Sequence, residues 1–534
     1  MSKRILAALM AMALMVSVFA GCRTVTTGEE EPIDEESSVT AEVSSKKPAT
    51  SSKASTSSKR KRSSSKKTTT TQSQGTANNV VIPDLMKETF YPNGWIDPTT
   101  YTVIAPSSSN NPTESTDDRT PDPGTSVYDG YTEYGTFADT LFQALSSRVW
   151  MPDGQRIWDD MVEQSGNPIT LWGYGAYLEA TGAAYAYKKT DSYKSEYEKA
   201  LKNVMVYQSS DKVNTGRGAA SGTYLALTCW PGGADSEIFY DDDVWVLKEY
   251  MHAYELLGNQ DYLTKADKML KYILETSWNT TWAGGGLEWM DRLYRGSGSE
   301  NVQKNTCINA PAMDATLEMY DITGGTNNYY VEEAQKIFSW TNSNLVQLYD
   351  KVIDQEAGTK AKRAYIYDKL VFNGADNISL DKFELPYNHG MMIAAAARLY
   401  KATNDKDYLD YAKIFADSAY DKWLPRNTFA SNSDWGNPWT NSSSPWFNSY
   451  LIEGFLTLEK CDASTGKKYV DAAKNALAIA CTYKNYGDGT GWFAANWSST
   501  AAPKAKEINV MNQSATARSL YMIASRVAES SSTK

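Results

Sequence analysis

The sequence predicts an all-α protein, an (α/α)6 toroid of about six helical hairpins behind a disordered linker. Three observations carry that expectation. From Tyr131 onward apolar residues recur at spacings of three and four rather than two. Phe137, Leu141, Leu145 and Val149 make one such stripe, and Val244, Leu247, Met251, Tyr254 and Leu257 another. A hairpin signature then repeats: Ala253 through Leu263 reads as helix end, Gly/Asn cap, short turn and new helix, and Leu399 through Leu409 repeats it almost position for position. Looser copies run from Met319 to Val331 and from Leu458 to Val470. Finally, Tyr254 and Tyr320 lie 66 residues apart, and Tyr320 and Tyr400 lie 80 apart. Open solenoid repeats run roughly 34 to 47 residues with short links. The extra length, rich in Trp, Gly and Asn, suits a closed double ring whose functional loops gather at one end.

The elements in front of that ring read differently. Met1 to Arg4 form a basic start and Ile5 to Ala20 an apolar stretch of 16 residues, short for a membrane span and typical of a secretion signal. It runs into Phe19-Ala20-Gly21-Cys22, where small residues before a cysteine resemble a bacterial lipobox. Residues 1–22 are therefore expected to be a signal segment with Cys22 as the lipidated anchor; ordinary cleavage after Ala20 is the competing expectation. Residues 37 to 80 hold 21 Ser or Thr and no aromatic ring, too little apolar surface to offset chain entropy. The run Lys59 to Arg62, with Lys66 and Lys67, would be attracted to an anionic wall polymer or lipid surface; a solvated spacer needs no partner at all. Phe90, Tyr91, Trp95 and Tyr101 could lie as an arm on the body. The expected organisation is signal 1–22, linker and arm 23–126, and helical domain 127–534.

Composition narrows the chemistry. Up to Ser126 the chain carries 14 basic and 14 acidic residues, so the remaining 408 carry the whole net charge of -11. An acidic body repels phosphate backbones, which argues against nucleic-acid partners. His252 and His389 are the only histidines, and the five cysteines form no C-x-x-C pair, so zinc chemistry lacks ligands. Neither histidine lies near a G-x-S-x-G turn, which removes the usual serine relay. By contrast, 35 Tyr and 16 Trp stand against 13 Phe. Amphipathic rings in that excess suit stacking on sugar faces, although they also serve ordinary cores.

The most informative segment is Phe239-Tyr240-Asp241-Asp242-Asp243-Val244-Trp245, directly before a helical stripe. One Asp would suffice as an N-cap, and three in succession repel one another. A calcium site is a second plain reading, since oxygen ligands are at hand. The third is glycoside cleavage, which needs one ionised and one protonated carboxyl. A separation of roughly 5 Å gives retention, and a wider gap that admits water gives inversion. Like-charge repulsion between adjacent Asp residues would raise one pKa and keep that group protonated. On chemistry alone, cap, calcium and catalysis all stay open. The neighbourhood adds weight to the last. Trp282 to Trp289 encloses Gly284-Gly285-Gly286, where a ligand could approach the backbone, or the run could be a plain turn. Lys304 to Pro311 and Leu385 to Gly390 each place polar side chains at a helix start.

Taken in order, Tyr240-Asp241-Asp242 with Trp245, the Ala253 to Gly258 hairpin, the glycine run ending at Trp289, Lys304-Asn305 with Asn309 and Pro311, and Tyr387-Asn388-His389-Gly390 resemble glycoside hydrolase family 76. The resemblance covers about residues 130 to 525 and rests on the set, since each motif alone would be weak. It implies an (α/α)6 endo-α-1,6-mannanase with Asp241 as nucleophile and Asp242 as acid/base. It places Tyr240, Asp243, Trp245, Gly285, Trp289, Asn309, Tyr387, Asn388 and His389 along the substrate cleft. Asp243 stands where the family commonly has Asn or Gln, and His389 where it commonly has Gln.

The resulting expectation is a surface-tethered, retaining endo-α-1,6-mannanase. It acts as a monomer on α-mannan, touches the membrane through its lipid anchor only, and needs no cofactor or metal. A non-catalytic surface glycan-binding lipoprotein and a transglycosylase on the same cleft are the alternatives. A uronyl hydrolase or lyase ranks last, because no Arg/His cluster is evident for an anionic sugar. His252 is expected to be structural. Cys461 and Cys481 are close enough in sequence for a bridge. Trp435, Trp439 and Trp446 could form a distal sugar platform or simply pack.

Overall fold

In a computed structural model of the chain the described residues are 133–532, apart from 295–301, 356, 375–376, 425–442, 485–490 and 498–507. The signal segment with Cys22, the linker and arm, the domain start near Val127, and Trp435 and Trp439 lie outside them. Among the described residues no helix is long and apolar enough to cross a membrane.

Twelve long helices are described: α1 Tyr134–Ser146, α2 Leu171–Lys188, α3 Asp191–Asn203, α4 Tyr240–Leu257, α5 Gln260–Ser277, α6 Thr306–Ile322, α7 Asn328–Leu345, α8 Pro386–Thr403, α9 Lys406–Trp423, α10 Pro445–Cys461, α11 Ala463–Lys484 and α12 Val510–Ser532. The even-numbered helices form an inner ring. Each packs on the next, and α12 returns to α2, so the ring closes. An odd-numbered helix backs each of them outside: α3, α5, α7, α9 and α11 follow their inner partners, and α1 lies on α12. The expected (α/α)6 toroid is therefore the fold.

Local chemistry explains the hairpins. Helix α4 ends on Gly258 at φ 70° and α8 on Asn404 at φ 56°, left-handed residues that stop a helix. The next side chains, Asn259 and Asp405, then accept the N–H of Asp261 and Asp407 and cap α5 and α9. Asn327 does the same for α7. These tight turns all join an inner helix to its outer partner. The long connections are thereby left at the other end, where every inner helix begins.

Inner helices are enclosed on nearly every side, so small residues set how closely they approach. Helices α8 and α10 cross at Gly390 and Gly454, where a Cβ on Gly390 would overlap the Tyr450 carbonyl and one on Gly454 the Gly390 carbonyl. Substituting either residue forces two backbones apart.

One long connection differs from the expectation of loops alone. Between α7 and α8 the chain forms a ribbon of β2 Val346–Asp354 and β3 Thr359–Ile366, paired from Val346 with Ile366 onward. It then adds β4 Lys369–Phe372 and β5 Ile378–Asp381 to β1 Gln303–Asn305, in the antiparallel order β1-β4-β5. These strands account for the long interval between Tyr320 and Tyr400. The sequence left the bridge between Cys461 and Cys481 open; Cys307, Cys461 and Cys481 are thiols.

Candidate active site

The carboxylate cluster occupies the first turn of α4, at the end of the ring where the long connections gather. A short antiparallel contact holds that turn in place. The Asp291 N–H bonds to the Ile238 carbonyl, and the Tyr240 N–H bonds to the Trp289 carbonyl. The same pairing delivers Trp289 to the carboxylates. Three acidic residues complement the positive end of the helix dipole. Successive helical positions turn by about 100°, so the three side chains diverge rather than share one ligand.

Each carboxyl therefore has its own surroundings. Asp241 is half-buried, and its Oδ2 accepts from Trp289 Nε1 at 3.2 Å and from the Cys307 thiol at 3.1 Å. Burial raises its pKa to about 6, and the Cys307 and Trp289 bonds hold it from rising further. Asp242 is 8 % exposed, and burial followed by the charge of Asp241 pushes it well above the carboxylate range. Burial and the neighbouring charge thus favour the proton of the pair on Asp242, and the two donors favour the charge on Asp241. Asp243 is fully buried; its Oδ1 accepts the Leu227 N–H at 2.9 Å, and burial raises it too.

The other residues expected along the cleft divide into two sets. Trp289 stays partly exposed beside Asp241, with its ring 4.7 Å from that of Phe239. Tyr387, at the start of α8, donates to the Cys307 carbonyl at 2.6 Å. The remainder are buried. Tyr240 is fully buried, and its hydroxyl reaches Thr276 Oγ1 at 2.8 Å and Asp291 Oδ2 at 3.2 Å. Asn309 is likewise buried, accepting the Leu287 N–H and donating to the Leu287 and Asn305 carbonyls; it fastens the glycine loop. Asn388 is buried next to Asp368, whose carboxyl burial raises, with Lys369 and then Asn388 opposing the rise. His389 is buried with Nε2 3.1 Å from Glu384 Oε1, and burial lowers its pKa. Trp245 is buried in an aromatic group with Tyr387, Trp446 and Tyr450.

Gly285 has close protein neighbours of its own. At φ 143° its backbone is approached not by open space but by the Trp278 and Trp340 rings, which a Cβ would strike. Its carbonyl accepts from the buried Lys304 ammonium, which also bonds the carbonyls of Asn279 and Trp282 at 2.6 Å. The protein itself fills the gap the glycines leave. Trp446 is buried in the same aromatic group as Trp245, so of its two readings packing is the one realised.

Sequence reasoning missed Cys307, Asp368 and Lys369. Cys307 sits in a variable slot inside the Lys304 to Asn309 motif, and a lone cysteine carries no signal. Asp368 and Lys369 arrive with the inserted strands, pair at 3.2 Å, and act electrostatically on Cys307. Among the described residues the acidic group whose ligand atoms converge lies elsewhere, at Asp314, Glu318 and Glu453. The Lys248 ammonium bonds into it.

A closed double ring of helices, with two consecutive carboxyls of unequal surroundings where the long connections gather, is the architecture expected of an (α/α)6 glycoside hydrolase. The chain belongs to glycosyl hydrolase family 76, whose model matches residues 138–532. It is 22% identical over 307 residues to the mannan endo-1,6-α-mannosidase DCW1 of Candida albicans, covering 56% of this chain and 62% of the relative. It is 30% identical over 131 residues to the corresponding DFG5 of Saccharomyces cerevisiae, 24% of each chain. The matches thus span less than two thirds of these relatives. Among solved structures, a family 76 α-mannanase of Bacteroides thetaiotaomicron superposes with a TM-score of 0.61 at 21% identity, covering 76% of this chain and 100% of that one. An inactive double Asp-to-Asn variant of an α-1,6-mannanase from Salegentibacter sp. HEL1_6, bound to α-1,6-mannotriose, gives 0.53 at 19% identity, covering 73% and 99%.

Proposed function

We propose that the protein is a retaining endo-α-1,6-mannanase, tethered outside the cell through Cys22 and acting as a monomer on α-1,6-linked mannose backbones. The observation that carries the mechanism is the unequal treatment of adjacent carboxyls. Two hydrogen-bond donors serve Asp241, whereas Asp242 has burial and a neighbouring charge to keep its proton. Asp241 attacks C1 while Asp242 gives its proton to the glycosidic oxygen, and the reducing-end fragment leaves. Asp242, now a carboxylate, takes a proton from water; the water oxygen bonds to C1 and Asp241 is released. The two acids supply both nucleophile and proton, so the cycle needs no metal or cofactor. The α-1,6-mannan substrate is supported by the family and by the mannan-cleaving names of the relatives.

Proton NMR of the first products released from an α-1,6-mannooligosaccharide tests this reading. The expected first product is the α-anomer, released from internal bonds. An initial β-anomer would mean inversion, and products one sugar long throughout would mean an exo-acting enzyme.

A further inference from the structure

We infer that Cys307 is a positioning residue for the nucleophile, its thiol fixing the rotation of the Asp241 carboxylate. This rests on the mannanase reading for its catalytic consequence but not for the contact itself. The thiol lies 3.1 Å from Asp241 Oδ2 and donates to it, alongside Trp289 Nε1 at 3.2 Å. The two donors come from different elements, the loop before β1 and the first turn of α6, so together they clamp one oxygen from two sides. Cys307 is itself held: its carbonyl accepts the Tyr387 hydroxyl at 2.6 Å, tying α6 to α8 at this point.

The chemistry suits a thiol. Burial, followed by the charge of Asp241, keeps Cys307 protonated and therefore a donor. An S–H group is a weak donor. It orients the carboxylate through one directed hydrogen bond, a role a hydroxyl in the same place can also fill. The groups facing this pair are Asp242 and Asp243 on α4, Asp368 and Lys369 at the start of β4, and Tyr387 on α8. All stay unchanged when only Cys307 is substituted.

The test compares the full chain with Cys307→Ala and Cys307→Ser in kcat and KM across pH, on an α-1,6-mannooligosaccharide. Cys307→Ala should lose about tenfold in kcat with KM nearly unchanged, the worth of one hydrogen bond to a charged group. Its acidic limb should move to higher pH, and Cys307→Ser should restore both. A second arm needs no turnover: the pH dependence of iodoacetamide alkylation at Cys307, read by peptide mass spectrometry in the parent and in Asp241→Asn. Removing the neighbouring charge should lower the midpoint. An unchanged midpoint, a Cys307→Ala enzyme with parental kcat and limb, or a serine variant no better than alanine overturns the inference. If the parent releases no product, the mannanase reading fails, and the alkylation arm still decides whether Cys307 and Asp241 are paired.

Discussion

Helix α4 carries buried charge at two places, and the two are built in opposite ways. At its first turn Asp241, Asp242 and Asp243 have no salt bridge to a lysine or arginine among the described residues. Two turns further on, Lys248 bonds to Asp314 on α6 and, at 2.7 Å, to Glu453 on α10. Arg398 on α8 joins Asp314 at 2.8 Å and Glu318 at 2.6 Å, and Arg518 on α12 joins Glu453. Against burial, Lys248 and Arg518 hold Glu453 well below the carboxylate range, so it stays ionised. At the mouth, burial raises Asp242 and Asp243 unopposed by any cation. Paired carboxylates tie the inner helices together, and unpaired ones keep a proton that can be given away. The same residue types thus serve structure at one depth and chemistry at another.

The largest effect should come from breaking the paired end. Lys248→Met leaves buried carboxylates uncompensated, and chemical denaturation should show a loss of about 3–5 kcal/mol. Turnover per folded molecule should change little, because the mouth keeps its own arrangement. A Lys248→Met protein as stable as its parent would mean the network is not closed.

The next effect is on activity against pH. Asp241 must be ionised, so kcat/KM should fall about tenfold per unit as the pH drops below its pKa of about 6. Asp242 must be protonated, so activity should fall again at high pH, once its raised pKa is passed. A profile flat through pH 5 to 7 would remove the assigned roles.

The smallest effect concerns stability at the mouth. Asp243 binds its proton more tightly folded than unfolded, so the native state loses stability as the pH rises from about 4 through the folded pKa. Asp243→Asn keeps an oxygen for the Leu227 N–H and removes that loss. It should be more stable than the parent at pH 8, by a margin that narrows as the pH falls toward 4. A variant less stable at both pH values would mean the carboxylate is compensated after all.

What the sequence reveals follows the range of the interactions involved. Gly258-Asn259 and Asn404-Asp405 stop one helix and cap the next through contacts within a few residues, so the hairpin repeat could be read directly. The carboxylate pair lies in one helical turn and was legible for the same reason. The strands between α7 and α8 were not, because they carry no turn signal as strong as the helical stripes around them. Nor was Lys248: a single apolar stripe implies a solvent-facing side, whereas ring closure buries every residue of α4 from Asp242 to Met251. Tyr240, Asn309 and His389 were assigned to the cleft from motif position alone. Their partners within the fold, Asp291, Leu287 and Glu384, are set by how loops return to the ring, which no local pattern encodes.

The central claim is that Asp241 and Asp242, at the unpaired end of α4, cleave α-1,6-mannan. Reducing-end release from debranched α-1,6-mannan tests it most directly, with the full chain beside its Asp241→Asn and Asp242→Asn variants. Oligosaccharides from the parent, with each variant slower by about a thousandfold or more, are the predicted result. Equal release from either variant, or loss only in Asp243→Asn, would contradict it.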